Sequence, residues 1–185
     1  VCGPTVYDYI HVGNAKTYTI FDVVAKYLRY RGYKVEYIQN ITDIDDKIIN
    51  RALELNLDPL DYAKDYTDAF LEDIKKLGIN SVSRYEPATK NIDQVIKQVK
   101  ILIKKGNAYK IENDGWYFDL KTFPEYGKLS GRTVEMAEDG VSRIDESLNK
   151  RNRGDFCLWR FSKPEEPGWD SELGYGRPGW HIEDT

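Results

Sequence analysis

The chain has 185 residues and a formal net charge of −4, with 41% hydrophobic and 31% charged residues. That length accommodates one medium domain, or one domain carrying an insertion, and the composition is ordinary for a globular protein. The acidic balance argues against general affinity for nucleic acid, which would require a local basic patch. No apolar run approaches the roughly 20 residues that cross a membrane. Two cysteines, Cys2 and Cys157, provide no disulfide framework, so a reducing, cytoplasmic location is expected.

The first third of the chain carries the patterns of a helix, a strand and a second helix. Between residues 14 and 32 apolar residues recur at three- and four-residue steps, which predicts a helix, and Gly32 is placed to end it in a left-handed cap. The stretch "KVEYIQNI" (34–41) is rich in β-branched and aromatic residues and predicts a strand. Thr42 or Asp43 is predicted to cap the helix that follows.

The next stretches continue the alternation of helix and strand. Asp58 and Pro59 predict the start of a third helix, as N-cap and first helical residue, which runs to Gly78. The stretch "NSVSRYEPAT" predicts a short strand and turn. Residues 91–106 predict a fourth helix that ends in basic residues and a glycine. Strands and helices in this order predict an α/β fold with a doubly wound parallel sheet.

From residue 107 the sequence becomes rich in turns. The stretch "AYKIENDGWYFDL" predicts a β-hairpin whose turn is Asn113-Asp114-Gly115. Polar, turn-rich sequence continues to about Pro178. We expect a small mixed subdomain here, inserted into the parallel α/β fold.

The tetrapeptide "HVGN" (residues 11–14) lies between the first apolar stretch and the first predicted helix. Backbone N–H groups at a helix start, a glycine that permits close approach and an imidazole together can form an anion site. His11 acting only as a helix cap explains the same residues equally well. The chain contains neither G-x-G-x-x-G nor a Walker A sequence, which argues against ordinary dinucleotide and P-loop sites.

Other reactive residues have plain structural interpretations. A lone cysteine in a strand, as Cys2 is predicted to be, usually acts as a small buried hydrophobic residue. The acids of "DIDD" (43–46) fit a helix N-terminus better than a metal site. Cys157 alternates with apolar neighbours in "DFCLWRF", so a structural role is expected for it.

Five stretches resemble cysteinyl-tRNA synthetases, in order and with similar spacing: "VCGPTVYDYIHVGNAKTYTIFDVV", "YIQNITDIDDKII", "RYEPAT", "NKRNRGDFCLWRFSK" and "GRPGWHIE". The resemblance extends over essentially the whole chain. It implies a class I aminoacyl-tRNA synthetase with a Rossmann-type catalytic domain interrupted by a connective insertion. The implied activity is ligation of cysteine to its tRNA through an enzyme-bound cysteinyl-adenylate, with ATP and Mg²⁺.

The resemblance also implies roles in ATP binding. "HVGN" matches the family's HIGH motif, which binds the ATP phosphates, and Asn14 stands where that motif usually ends in histidine. His11 and Asn14 are the implied catalytic residues. The implied ATP-binding residues are Pro4, Thr5, Tyr7, His11, Gly13 and Asn14.

A cysteine pocket is implied at the two ends of the chain. Cys2 matches the first ligand of a zinc ion that holds the substrate thiolate, and zinc binds thiolate far better than a serine hydroxyl. The implied substrate-binding residues are Cys2, Gly3, Thr42, Trp180 and His181. The family usually reads "GWHIECS", and Asp184 stands where its second cysteine ligand is expected. We therefore expect Cys2 and Asp184 to approach each other, at the carboxyl ends of the strands.

The resemblance further implies that the chain is a fragment, inactive alone and without stable zinc. Val1 is not preceded by a methionine, and the family's remaining zinc ligands, its KMSKS loop and its anticodon-binding domain lie beyond residue 185. The expected domains are 1–106 as the first half of the catalytic domain, 107–176 as the connective insertion and 177–185 as the start of the second half. Residues 177–185 are expected to re-enter the parallel sheet at a position next to the first strand.

Two alternatives remain open from the sequence. A related ligase that joins cysteine to an amino sugar shares most of these motifs. A catalytically silent paralogue could serve as a binding module, and Asp184 is the residue that favours it. The expected partners are cysteine, ATP and, in the full-length protein, tRNA, with no membrane.

Overall fold

The computed structural model describes residues 1–129, 131, 147–179 and 182–184. Its helices are α1 (Val12–Tyr30), α2 (Asp46–Glu54), α3 (Pro59–Lys76) and α4 (Ile92–Lys104). Its strands are β1 (Ile38–Ile41), β2 (Arg84–Pro87), β3 (Ala108–Ile111), β4 (Gly115–Phe118), β5 (Phe156–Phe161) and β6 (Gly176–Pro178). The chain divides into two compact units, Val1–Asn91 with Asp184, and Ile92–Glu183. The fold is mixed α/β, as the sequence predicts.

The first unit contains a parallel sheet. β1 and β2 pair in parallel with Ile38 opposite Arg84, and residues 1–6 lie along β1 through a parallel bridge between Thr5 and Thr42. The strand predicted over 34–41 begins only at Ile38. At Tyr37, just before it, the N–H donates to the Ser83 hydroxyl at 3.0 Å and the carbonyl accepts the backbone N–H of Ser83 at 2.7 Å.

The helix α1 begins two residues before the predicted start at residue 14. The imidazole of His11 accepts the N–H of Gly13 at 3.1 Å, and this N-cap allows the helix to begin at Val12. At the other end α1 stops at Tyr30, and Gly32 adopts a φ of +88°. The left-handed cap predicted at Gly32 is confirmed.

The predicted cap of the second helix is wrong, whereas that of the third is confirmed. Asp45 caps α2 by accepting the N–H of Lys47, not Thr42 or Asp43. Thr42 is still part of the sheet, because its N–H donates to the Pro4 carbonyl at 3.0 Å. The cap of α3 is Asp58, whose carboxylate accepts two N–H groups of the first turn.

The core of the first unit lies between its helices and the parallel sheet. The helix α3 contributes the buried Tyr62 and Phe70, with the half-buried Tyr66 between them, and each lies four residues from the next, as the aromatic spacing predicts. The members of this core are Val6, Tyr18, Ile41, Ile48, Ala52, Tyr62, Ala63, Phe70, Ile74 and Ile79. The helices α2 and α3, which connect β1 to β2, therefore share one apolar cluster with residues that come before and after them in the chain.

The second unit is built on an antiparallel sheet of order β3-β4-β5-β6. The predicted hairpin is present as β3 and β4, and the turn residue Asn113 has a φ of +61°. Cys157 is buried with Tyr109, Ile111 and Tyr117, so its predicted structural role is confirmed. None of the described helices is long and apolar enough to cross a membrane.

The second compact unit begins at Ile92, because α4 packs its apolar side against Leu158 and Trp159 of β5. The start of the connective insertion at residue 107 stays a prediction. Residues 177 and 178 were expected to re-enter the parallel sheet. They belong instead to β6, which pairs antiparallel with β5. The assignment of the two units to a catalytic half and a connective insertion stays a prediction.

A buried carboxylate joins α1 to the segment before β2. Asp22 is 4% exposed and accepts the N–H groups of Asn80 and Ser81 at 3.0 and 2.9 Å, while Lys26 pairs with it at 2.5 Å. Burial by itself raises the pKa of Asp22, but the bonds from Lys26 and Ser81 outweigh it and lower the pKa to about 2. The ionised carboxylate is therefore part of the folded state.

This carboxylate predicts a specific loss of stability in acid. A depressed pKa contributes stability above the unfolded value of 3.8, and that contribution disappears as the pH falls towards about 2. The expected loss is about 2 kcal/mol in the free energy of unfolding. Urea denaturation at a series of pH values would measure it. Asp22→Asn should remove this part of the pH dependence, whereas Asp68→Asn, at an exposed helical ion pair, should leave it unchanged. A wild-type slope in Asp22→Asn would contradict the assignment.

Candidate active site in the first unit

Three chain segments meet at one edge of the parallel sheet. Residues 7–11 follow the first extended segment, residues 42–45 follow β1, and residues 88–90 follow β2. Because parallel strands end at the same edge, these connections open side by side. In open α/β sheets, this edge is the place where ligands bind.

An acidic residue links two of these connections. Asp43 accepts the backbone N–H of Thr89 at 2.9 Å and its hydroxyl at 2.5 Å, while Asp45 is the cap of α2. The helix-terminus interpretation of the "DIDD" acids is confirmed for Asp45, whereas Asp43 binds Thr89 instead. Among the residues that the structure describes, no three His, Cys, Asp or Glu side chains cluster as a metal site would require.

The stretch Cys2–Gly3 lies against β1 without room for a side chain at position 3. A Cβ added to Gly3 would lie 1.8 Å from the carbonyl oxygen of Asn40. The N–H of Gly3 donates to the side-chain oxygen of Asn40 at 2.5 Å. Cys2 is exposed, so the expectation of a buried, inert cysteine is wrong. Its side chain is accessible from solvent, where a thiolate can act as a ligand.

The connection after the first segment is fixed at Tyr7. The hydroxyl of Tyr62 donates to the Tyr7 carbonyl at 2.8 Å, and the Lys47 ammonium lies 5.2 Å from the centre of the Tyr7 ring. Burial raises the pKa of Tyr62 to about 12, so its hydroxyl stays protonated as a donor at neutral pH.

The start of α1 has the chemistry of an anion site. His11, Gly13 and Asn14 are all exposed. Because Nδ1 of His11 accepts the Gly13 N–H, the neutral imidazole carries its proton on Nε2, where it can donate to a ligand. The first turn of α1 contains no acidic residue, whereas α2, α3 and α4 each have an aspartate there. The positive end of the α1 dipole is thus not neutralised by its own sequence.

A model of the family described as "tRNA synthetases class I (C) catalytic domain" matches residues 1–185. The chain belongs to this family. Three relatives named cysteine--tRNA ligase support the assignment. The protein of Thermoplasma acidophilum is 52% identical and that of Thermoplasma volcanium 50%, both over the whole chain. The protein of Pyrococcus furiosus is 50% identical over 99% of the chain. The chain spans about 40% of the length of these relatives.

A solved structure supports the fold of this class I synthetase domain. It is the crystal structure of the ternary complex of a LeuRS from Agrobacterium radiobacter K84 with tRNA and LeuAMS. It matches 78% of this chain and 23% of its own, with a TM-score of 0.52 and 19% identity. The similarity supports a Rossmann-like architecture, which agrees with the parallel pairing of β1 and β2.

The structure brings together part of the set that the synthetase resemblance implies. Thr42 is 3% exposed and lies beside Thr5, which has Pro4 before it in the same segment. Trp180 and His181 lie outside the described residues. Asp184 ends a 3-10 turn, Ile182–Asp184. The approach of Cys2 to Asp184 stays a prediction.

Two residues at this edge were missed by the sequence analysis. Asn40 contacts Gly3 and Thr42, and Asp43 contacts Thr89. A signal was present for Asn40, since an amide in a strand needs a partner when it is half-buried. No local signal pointed to the partner of Asp43, which lies 46 residues away.

His11 can act as the N-cap of α1 and as a donor to a ligand, and substitution separates these two roles. His11→Ala removes the cap and should lower the free energy of unfolding by about 1 kcal/mol. His11→Ser keeps an acceptor for the Gly13 N–H, so its stability should stay near that of the wild type. Chemical denaturation followed by far-UV circular dichroism measures both, with the exposed Lys16→Ala as the control. Equal stability of the Ala and Ser variants would contradict the capping role.

Proposed function

We propose that the full-length protein is a cysteine--tRNA ligase, which activates cysteine with ATP as cysteinyl-adenylate and transfers it to tRNA. The observation that carries this proposal is the pairing of the first segment with β1, which sets Thr5 beside the buried Thr42 and opens the connection into α1 at the same edge of the parallel sheet. The family of the domain and the names of its relatives agree with it. The 185 residues alone are proposed to be inactive, since they span about 40% of those relatives.

The start of α1 is proposed to bind the ATP phosphates. The Nε2–H of His11 donates to a phosphate oxygen, while the Nδ1 bond to Gly13 fixes the plane of the ring. The helix dipole adds attraction for the negative charge that develops during transfer to the carboxylate of cysteine. Asn14 offers an amide donor one residue beyond Gly13. Pro4, Thr5 and Tyr7 are proposed to line the nucleotide side of the site.

The cysteine pocket is proposed to form around Cys2 and Thr42, with Gly3, Trp180 and His181. Zinc, when bound, supplies a soft Lewis acid that selects the substrate thiolate over a hydroxyl. The exposed thiol of Cys2 fits a zinc ligand, and Asp184 could add a carboxylate oxygen. The other ligands would come from the rest of the full-length protein. Magnesium is proposed to accompany ATP as part of the substrate.

Cysteine-dependent exchange of pyrophosphate into ATP tests this function in the full-length protein. We expect exchange with cysteine and charging of tRNA. Exchange without charging, but with capture of cysteine by an amino sugar, would favour the related ligase. Absence of exchange would favour the silent paralogue and contradict the proposal.

The same assay tests His11. His11→Ala and His11→Ser should both lower the exchange rate by about 100-fold or more, because both lose the Nε2 donor. The KM for cysteine should change little. Thr19→Ala, an exposed substitution further along α1, is the matched control. A His11→Ser enzyme with the wild-type rate would limit His11 to its capping role.

The metal is tested by zinc analysis of the full-length protein and of Asp184→Cys. An oxygen-ligated site predicts about one zinc per chain in both proteins, with weaker retention in the wild type when a chelator is added, since carboxylate is the harder ligand. The 185-residue chain is predicted to retain no zinc, because structural and catalytic zinc sites need at least three protein ligands. Zinc in the Asp184→Cys protein alone would contradict an oxygen-ligated site.

A further inference from the structure

The pairing of residues 1–6 with β1 changes register between its two ends. The terminal ammonium of Val1 donates to the carbonyl of Ile38, 37 positions away, at 3.0 Å. The N–H of Val6 donates to the carbonyl of Thr42 at 3.1 Å, and the separation there is 42 − 6 = 36 positions. One extra residue therefore lies in the first segment between these two contacts, as it does in a β-bulge. Bulges leave a backbone group without its ladder partner and often re-aim side chains beside active sites.

The side chain of Asn40 occupies the place where the ladder is interrupted. Its Oδ1 accepts the N–H of Gly3 at 2.5 Å, and its Nδ2 donates to the Thr42 hydroxyl oxygen at 3.4 Å. The orientation of the amide follows from chemistry, because a backbone N–H is only a donor and must face the oxygen. The nitrogen then has to face Thr42. One side chain thus joins two segments at the candidate cysteine pocket.

We propose that Asn40 is a positioning residue that holds the Cys2–Gly3 bulge and the Thr42 hydroxyl in a fixed relation. The inference rests on the proposed cysteine pocket and adds a residue to it. Asn40 acts through Gly3 and Thr42 and does not touch the substrate itself.

The direction of the Asn40–Thr42 bond has a consequence for the pocket. Since Nδ2 donates, the hydroxyl oxygen of Thr42 is the acceptor and its hydrogen points away from Asn40. The bond to Asn40 therefore sets the direction of a hydroxyl group in the proposed pocket.

Substitution of Asn40 by aspartate tests whether Asn40 positions the Thr42 hydroxyl or only stabilises the fold. Asn40→Asp keeps an acceptor for the Gly3 N–H, but it replaces the donor to Thr42 by a second acceptor. The Thr42 hydroxyl must then donate to the carboxylate. In the full-length enzyme we expect the KM for cysteine in pyrophosphate exchange to rise about tenfold. The KM for ATP and the melting temperature should stay near the wild-type values.

Two further variants serve as references. Asn40→Leu has a similar volume but loses both bonds, so it should raise the KM for cysteine and also lower the melting temperature. Asn50→Leu, an exposed site on α2, controls for the loss of an amide and should change neither quantity. If Asn40→Leu does not fold, Asn40→Asp still decides the question.

A double-mutant cycle with Thr42→Val connects Asn40 to its partner. The double variant Asn40→Asp, Thr42→Val should have the same KM for cysteine as Thr42→Val alone, because the hydroxyl through which Asn40 acts is absent. Additive effects would overturn the proposal. If Thr42→Val raises this KM and Asn40→Asp does not, Asn40 is not a positioning residue but the proposed pocket stands. If neither changes it, the pocket fails together with the role of Asn40.

Discussion

Close contact between residues 1–6 and β1 is the constraint on which the candidate site depends. The contact is possible because Gly3 has no side chain, where a Cβ would lie 1.8 Å from a backbone oxygen of β1. Since the two segments are parallel neighbours, the connections after them open at the same edge. Thr5 and Thr42 are brought together by this pairing, although they are far apart in sequence, and the connection into α1 opens beside them.

Local signals predicted the elements whose ends depend on neighbouring residues alone. The cap and first residue of α3, Asp58 and Pro59, and the turn at Asn113 follow from backbone preferences and short side-chain bonds. The start of α2 could not be predicted in this way. Several residues before it are good caps, and the choice among them depends on two tertiary bonds, in which Thr42 donates to the Pro4 carbonyl and Thr89 donates to Asp43.

The candidate site was predictable as a set of motifs but not as a network. "HVGN" indicated a helix start with anion chemistry, and the structure has its cap at His11. The role of Asn40 depends on an extra residue in the opposite segment, which no periodicity in a single strand reveals.

Asp22 was missed for a related reason. A charged residue in the buried stripe of α1 contradicts the helical pattern until its backbone partners at Asn80 and Ser81 are known.

The hydrogen bond from Tyr62 to the Tyr7 carbonyl fixes one end of the connection that leads into α1, and the cap at His11 fixes the other. Only residues 8–10 remain between these anchors, and Tyr9 packs edge-on against Tyr66 with ring centres 5.3 Å apart. A loop held in this way has little conformational entropy left to lose when an anion binds beside it. Tyr62 and the half-buried Tyr66 on α3 thus preorganise the backbone of this connection, although neither residue belongs to the proposed site.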